Sequence, residues 1–250
     1  MLELQNVEFR VSNAGAGETE IIHDLSLKID SGSFTVITGP NGGGKSTVAK
    51  LIMGILKPTS GRILFNGQDI TDLSVPERAK LGIGYGFQQP PRFKGLTVRR
   101  LLSLAHGSDL PVDECCSYLT SVGLCSADYL NREVDSSLSG GEVKRIEIAT
   151  LMARDLRLAI YDEPEAGIDL WSFAMLVKSF KTLSQKRHES TLIISHQERI
   201  MQLADEIIVI ANGAVRERGP RDEIFPKLLM QVDGGSCSFR QGGKEGGTNG

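Results

Sequence analysis

Gly39-Pro40-Asn41-Gly42-Gly43-Gly44-Lys45-Ser46-Thr47 is the stretch that decides the reading of this chain. Two glycines flank four residues and are followed by Lys and Ser, the pattern of a phosphate-binding loop. Glycines let the backbone curl until several N–H groups face one anion. A helix that starts at Lys45 adds the partial positive charge of its N-terminus. The Lys45 ammonium suits the β- and γ-phosphates of a nucleotide such as ATP, and the Ser46 hydroxyl suits Mg²⁺.

The flanks agree with that reading. Phe34 to Thr38 is a short apolar run that stops at glycine, as a buried parallel strand does. Helical spacing follows from Lys45 to about Gly54, with Pro58 beyond it. Upstream, Leu2 to Val11 and Ile21 to Ile29 alternate like half-buried strands, separated by a small, Gly-rich loop from Ser12 to Thr19. Gly61 to Phe65 with Asn66-Gly67 reads as a strand and a tight turn. Thr97 to Leu130 changes character, because its apolar residues recur at helical spacing, and predicts a small helical subdomain. Beyond Ser139, helix and strand alternate: a helix to about Ala153, Leu156 to Tyr161, Leu170 to Lys186, Thr191 to Ser195, Gln197 to Leu203, Glu206 to Ile210, Gly213 to Arg218 and Asp222 to Leu229. Such alternation predicts an α/β fold with a parallel sheet covered on both faces. From Gly234 the composition collapses to Gly, Ser, Lys, Gln and Thr, which predicts a flexible end over 231–250.

A second constellation follows the apolar run Leu158-Ala159-Ile160-Tyr161. Asp162 and Glu163 stand at the C-terminal end of that strand, where ligands of open parallel sheets bind. Asp162 is placed to hold Mg²⁺ and Glu163 to polarise an attacking water.

Composition narrows the alternatives. Hydrophobic residues make up 40% of the 250, ordinary for a globular protein able to bury a core. The net charge of −3 offers no overall positive field, so no nucleic-acid partner is expected. No apolar stretch approaches the roughly 18 to 20 residues that cross a bilayer, and Met1 to Phe9 does not read as a signal peptide, so a cytoplasmic chain is expected. Cys115, Cys116, Cys125 and Cys237 do not space like a zinc or cluster site and read as reduced packing residues, with transient ligation of a metal or cluster as the sharper alternative.

Leu138-Ser139-Gly140-Gly141-Glu142 resembles the signature of the ABC ATPase family. That resemblance implies a P-loop NTPase of ABC type, with a parallel-sheet core, an antiparallel β subdomain and an inserted helical subdomain. The ATPase domain would span 1 to 230, with the helical part over about 89–138. Ser139 caps a helix beginning Gly140-Gly141, so its free N–H groups form a second anion site. In the family this site covers the γ-phosphate of ATP held by the partner chain, which implies head-to-tail pairing on ATP binding. Gln88 matches the family's glutamine that reaches metal and water, although Gln89 is adjacent and the register could be off by one. Gly167-Ile168-Asp169 matches the loop that crosses the interface, and His196 matches the histidine that reaches the γ-phosphate. The family's adenine-stacking aromatic falls at Val11, which offers apolar contact only; Phe9 is the substitute to consider.

Within the family, Pro76-Glu77-Arg78-Ala79, Phe87-Gln88-Gln89-Pro90-Pro91 and His196-Gln197-Glu198-Arg199-Ile200 resemble the Suf-type ATPase of iron–sulfur cluster assembly, SufC. This implies a SufB/SufD-like scaffold as partner, with a transporter's membrane subunit as the alternative. The partner surface is expected near Gln88 to Leu104, with Arg92, Phe93 and Lys94 as candidate contacts.

Overall fold

The computed structural model describes residues 1–13, 17–186 and 189–233. The expected flexible end from Gly234, Cys237 and the tip of the first hairpin lie outside them. In chain order the strands and helices are β1 (Leu2–Asn13), β2 (Gly17–Ile29), β3 (Phe34–Thr38), α1 (Lys45–Met53), β4 (Ser60–Phe65), β5 (Gln68–Asp69), α2 (Val75–Lys80), β6 (Ile83–Gly86), β7 (Phe93–Thr97), α3 (Val98–His106), α4 (Val112–Ser121), α5 (Ser126–Tyr129), β8 (Glu133–Val134), α6 (Gly140–Met152), β9 (Leu158–Asp162), α7 (Leu170–Lys186), β10 (Ser190–Ile194), α8 (Glu198–Met201), β11 (Glu206–Ala211), β12 (Ala214–Pro220) and α9 (Arg221–Asp233).

Six strands form the central sheet in the order β12-β11-β3-β10-β9-β6. All its neighbours run parallel except β12, which closes the edge antiparallel to β11. A second, antiparallel sheet has the order β2-β1-β4-β5. The central strands divide their side chains between two cores by the period of two along a strand. Phe34, Val36, Ala159, Tyr161, Ile193, Ile207 and Val209 face the helices α6 and α7 and the helical lobe. Ile37, Leu158, Ile160, Leu192, Ile194, Ile208 and Ile210 face α1 and the antiparallel sheet. Burial on both faces explains why β3, β9 and β10 read as apolar runs rather than alternations.

The inserted lobe differs from an all-helical expectation. Its entry and exit pair as a two-stranded antiparallel ladder, Phe93 opposite Val134 and Thr97 opposite Glu133. This ladder ties the two ends of the insertion together, while Cys115, Leu119, Leu102 and Val122 fill its core. Cys115 is buried, Cys116 half-buried and Cys125 exposed. At the other end, α9 continues through Asp233, three residues beyond the expected domain limit. Among the described residues, no helix is long and apolar enough to cross a membrane.

One buried cation braces the phosphate-loop helix. Arg78 is 1% exposed. Its guanidinium donates to the carbonyls of Leu51 and Ile52 at the end of α1, at 2.7 and 2.8 Å, and to those of Leu73 and Thr71 at 3.0 and 2.9 Å. Helix ends leave such carbonyls unpaired, and a charged donor there is favoured by the helix dipole. Gly54 makes the approach possible, since a Cβ on it would meet Arg78 Nε at 2.8 Å. Arg78→Ala strands several buried carbonyls, so the free energy of unfolding in a urea titration should fall by about 3 kcal/mol.

Candidate nucleotide site

The loop between β3 and α1 is pressed against the end of β11. A Cβ at Gly39, whose φ is +132°, would sit 2.0 Å from the Ile210 carbonyl oxygen, and one at Gly43 would sit 2.9 Å from it. Only glycine permits that approach. The curled loop turns its backbone inward, and the Lys45 ammonium donates to the carbonyls of Gly39 and Pro40, both at 2.9 Å. Lys45 is buried, and burial lowers its pKa against the opposing pull of Glu163 and Asp162.

Asp162 ends β9 and is fully buried. Its Oδ1 accepts from Ser46 Oγ at 2.9 Å and its Oδ2 accepts from Tyr85 Oη at 2.8 Å. Burial beside this carboxylate pushes the Tyr85 phenol far up, so it stays a donor. Glu163 follows in a left-handed conformation, φ +46°, which side chains of L-residues seldom adopt. Its amide donates to the Ile194 carbonyl at 3.0 Å, and its Oε2 accepts from Gln88 Nε2 at 2.7 Å. That bond places Gln88, rather than Gln89, against Glu163. His196 stands at the end of β10 with Nδ1 at 3.5 Å from Thr38 Oγ1. Burial first, and then the Lys45 charge, lower its pKa, which keeps the imidazole neutral near pH 7.

A cleft of about 280 Å³ is lined by Ile21, the loop from Asn41 to Thr47, Gln88 and Glu163. Loop amides, one lysine and hard oxygen donors suit a nucleotide's phosphates. Ser46 Oγ and the Asp162 carboxylate, side by side, are of the type that Mg²⁺ takes. Val11 does not line this cleft: it pairs with Thr19 at the far end of β1 and is 38% exposed. Phe9 does not replace it, because it packs against the core under the antiparallel sheet. The irregularity between Phe9 and Arg10 is an extra residue on β2, Ile21, so β1 itself runs on unbroken from Phe9 to Val11. Ile21, which the sequence reading passed over, is the apolar wall instead.

The signature residues lie elsewhere. Ser139 Oγ accepts from the Glu142 amide at 3.3 Å, and Glu142 Oε2 accepts from the Ser139 amide at 2.6 Å, a complete capping box. Tyr129 Oη also donates to Glu142; this bond above all, with those from Ser139, holds the carboxyl down at about 2. The loop carrying Asp169 packs against this helix start, for a Cβ on Gly141 would meet the Gly167 carbonyl at 2.5 Å. Neither Ser139 to Glu142 nor Asp169 lines the cleft.

Two further ionic groups were missed in the sequence. Lys144 on α6 is 1% exposed; its ammonium donates to the carbonyl of Phe87 and, at 3.2 Å, to that of Asp162, and it pairs with Glu147 at 3.6 Å. Glu147 Oε1 accepts from the Phe87 amide at 2.9 Å. Glu165 Oε1 accepts from Ser195 Oγ at 2.6 Å, while its Oε2 is buried without a hydrogen-bond partner. Burial raises the pKa of both glutamates. A lysine three residues before a glutamate on a helix reads as a solvated pair, so only the fold reveals that this one is inside.

A larger groove, about 450 Å³, lies between the lobe and the central sheet. Phe87, Pro91, Phe93, Leu101 and Leu104 give it an apolar lining, with Glu147 and Arg154 at its polar positions. Of the three expected partner contacts, Phe93 is on it. Arg92 is exposed, and one nitrogen of its guanidinium donates to the carbonyls of Asp135 and Leu138, tying this segment to the lobe's exit.

Comparison with known proteins gives the same picture. The family model described as ABC transporter matches residues 22–166. An uncharacterised ABC transporter ATP-binding protein of Methanocaldococcus jannaschii is 39% identical over 216 residues, 83% of this chain and 86% of the relative. A probable ATP-dependent transporter of Trieres chinensis is 33% identical over 237 residues, 89% of this chain and 92% of the relative. Among solved structures, a dimeric ATP-binding cassette in a post-hydrolysis state, bound to ADP and phosphate, superposes with a TM-score of 0.77. It covers 88% of this chain and 99% of its own, at 24% identity, a likeness of fold.

The buried pair can be tested without exposing a charge. Lys144→Met with Glu147→Gln keeps the volume and removes both ions, so folding should persist. The Phe87 and Asp162 carbonyls lose their shared donor. In steady-state kinetics kcat for ATP should fall about ten-fold, while nucleotide affinity in a binding titration changes little, as for supporting groups around a site.

Proposed function

The chain belongs to the ABC transporter family, as an ATP-binding member that hydrolyses ATP, and on that premise we propose that it works as a head-to-tail pair driving a partner protein. What supports the pairing is one observation: Ser139 caps a helix that starts at Gly140 and Gly141, whose amides sit in its first turn, yet these residues stand outside the cleft formed by Asn41 to Thr47. A second copy would bring that anion site over a nucleotide held in the first, with the same patch used on both subunits. Residues 1 to about 230 are taken as the ATPase unit, extended to Asp233 by the last helix.

The roles proposed for the residues follow from their surroundings. Loop amides and Lys45 would hold the β- and γ-phosphates; for Lys45 this exchanges two loop carbonyls for phosphate oxygens. Ser46, Asp162 and Gln88 would hold Mg²⁺. A bound Mg²⁺ would supply charge neutralisation on the phosphate oxygens. Glu163, turned out by its backbone and already hydrogen-bonded to Gln88, would orient the attacking water. His196, neutral, would donate to the γ-phosphate oxygen. Asp169 would meet the second subunit beside the signature helix.

The partner proposed first is a transporter's membrane subunit, because the relatives are described as transporter ATP-binding proteins. A cytoplasmic chain fits that role. The apolar groove from Phe87 to Leu104 is the surface proposed for it. A second reading, a SufB/SufD-like scaffold in iron–sulfur cluster assembly, is supported by the motifs at Pro76 to Ala79, Phe87 to Pro91 and His196 to Ile200, and by the absence of an aromatic at Val11.

Glu163→Gln should bind ATP, lose turnover by at least about a hundred-fold and form a dimer in sedimentation velocity, whereas Lys45→Ala should lose ATP binding itself. With Glu163→Gln and ATP as bait, capture of a polytopic membrane protein supports transport. Capture of a soluble scaffold carrying iron and sulfide instead supports cluster assembly and removes transport.

A further inference from the structure

The first turn of α7 carries two strongly exposed large apolar side chains, Leu170 at 67% and Trp171 at 83%. The helix has its own inward side, Phe173, Leu176 and Phe180, with the Phe180 ring edge-on to Phe34 and Tyr161. Leu170 and Trp171 take no part in that core. Met175, four residues after Trp171 and so on the same side of the helix, is 37% exposed and extends the strip. A tryptophan held this far into water loses the burial that ordinarily justifies it, and contiguous exposed apolar surface marks a contact site.

Two observations bear on what covers it. The strip is rigidly presented: Asp169 Oδ1 accepts from the amides of Trp171 and Ser172, both at 3.0 Å, and the Asp169 carbonyl accepts from the Phe173 amide at 2.9 Å. The turn that carries it leans on the signature helix, through the contact of Gly141 with the Gly167 carbonyl. The strip therefore continues the face formed by Ser139 to Gly141, which the proposed pairing turns toward a second subunit.

We propose that Leu170 and Trp171 are an apolar anchor for a second copy of this chain, buried when ATP closes the pair. This rests on the shared-site pairing proposed above. In that pairing the signature amides supply recognition of the phosphate, and the anchor supplies binding energy that does not depend on it. By two-fold symmetry each closed pair buries two such anchors.

Trp171 is the single tryptophan of the chain, so its emission, excited at the red edge of indole absorption, reports this position alone. Sedimentation velocity and indole emission are followed on Glu163→Gln as ATP is added. Dimer formation should be accompanied by a blue shift. Glu163→Gln with Trp171→Ala should need about ten-fold or more protein to pair, as for an interface hot spot, with ATP binding to the monomer unchanged; Trp171→Phe should restore most of the affinity. A dimer whose indole remains at its water-exposed wavelength, or a Trp171→Ala protein that pairs as readily, overturns the anchor and leaves the shared site standing. A blue shift in the monomer on adding another protein or vesicles, without one on pairing, also overturns it. If Glu163→Gln stays monomeric with ATP at high concentration, pairing and anchor fall together.

Discussion

A buried carboxylate holds this molecule together at its functional centre. Asp162 has no exposed surface, and taking its charge out of water is costly unless hydrogen bonds surround it. Ser46 Oγ and Tyr85 Oη supply donors to its two oxygens, and Lys144 reaches its backbone carbonyl. Each comes from a different element: Ser46 from α1, Tyr85 from β6, Lys144 from α6. The phosphate-loop helix, the strand leading to Gln88 and the signature helix are thus fixed to one another through the last residue of β9. Neither partner of its two oxygens is an ion.

How much of this was legible depends on whether the signal was local. The phosphate loop, β3, β9 and β10 were, because strands buried on both faces are uninterrupted apolar runs and glycine marks where the backbone must approach Ile210. The limits of α7 also came from its spacing. Contacts between distant segments left no trace. Phe93 pairs with Val134 across an irregular ladder that neither segment announces. Lys144 and Glu147 have the spacing of a solvated helix pair, and it is the docking of α6 onto β9 that buries them. Which residue of the first hairpin lines the cleft was equally hidden, because it depends on how β2 passes over the loop: Ile21, the bulged residue of β2, stands there, and Val11 does not.

The same distinction weighs the motifs that point to one branch of the family. Arg78, within Pro76-Glu77-Arg78-Ala79, is wholly engaged with carbonyls of α1 and the turn before α2. Arg92 binds the exit of the lobe. These residues are needed to hold the nucleotide machinery in place whatever protein is attached, so their presence bears on the fold more than on the partner. The apolar lining of the groove, with Phe87, Phe93 and Leu104 among its exposed positions, is freer of internal duty and is where a partner's identity would be written.

That groove and the nucleotide cleft meet at one residue. Phe87 stands in the groove, its ring edge-on to Tyr85 with centroids 4.9 Å apart, and Gln88, next in the chain, reaches Glu163 in the cleft. Phe87's amide is held by Glu147 and its carbonyl by Lys144, and Tyr85 holds Asp162. The backbone of Phe87 is thus held by two side chains of α6, and Gln88 is aimed at Glu163 from that fixed point. The buried Lys144–Glu147 pair, weak as a source of stability, thus serves to position the segment that leads from the groove to the cleft.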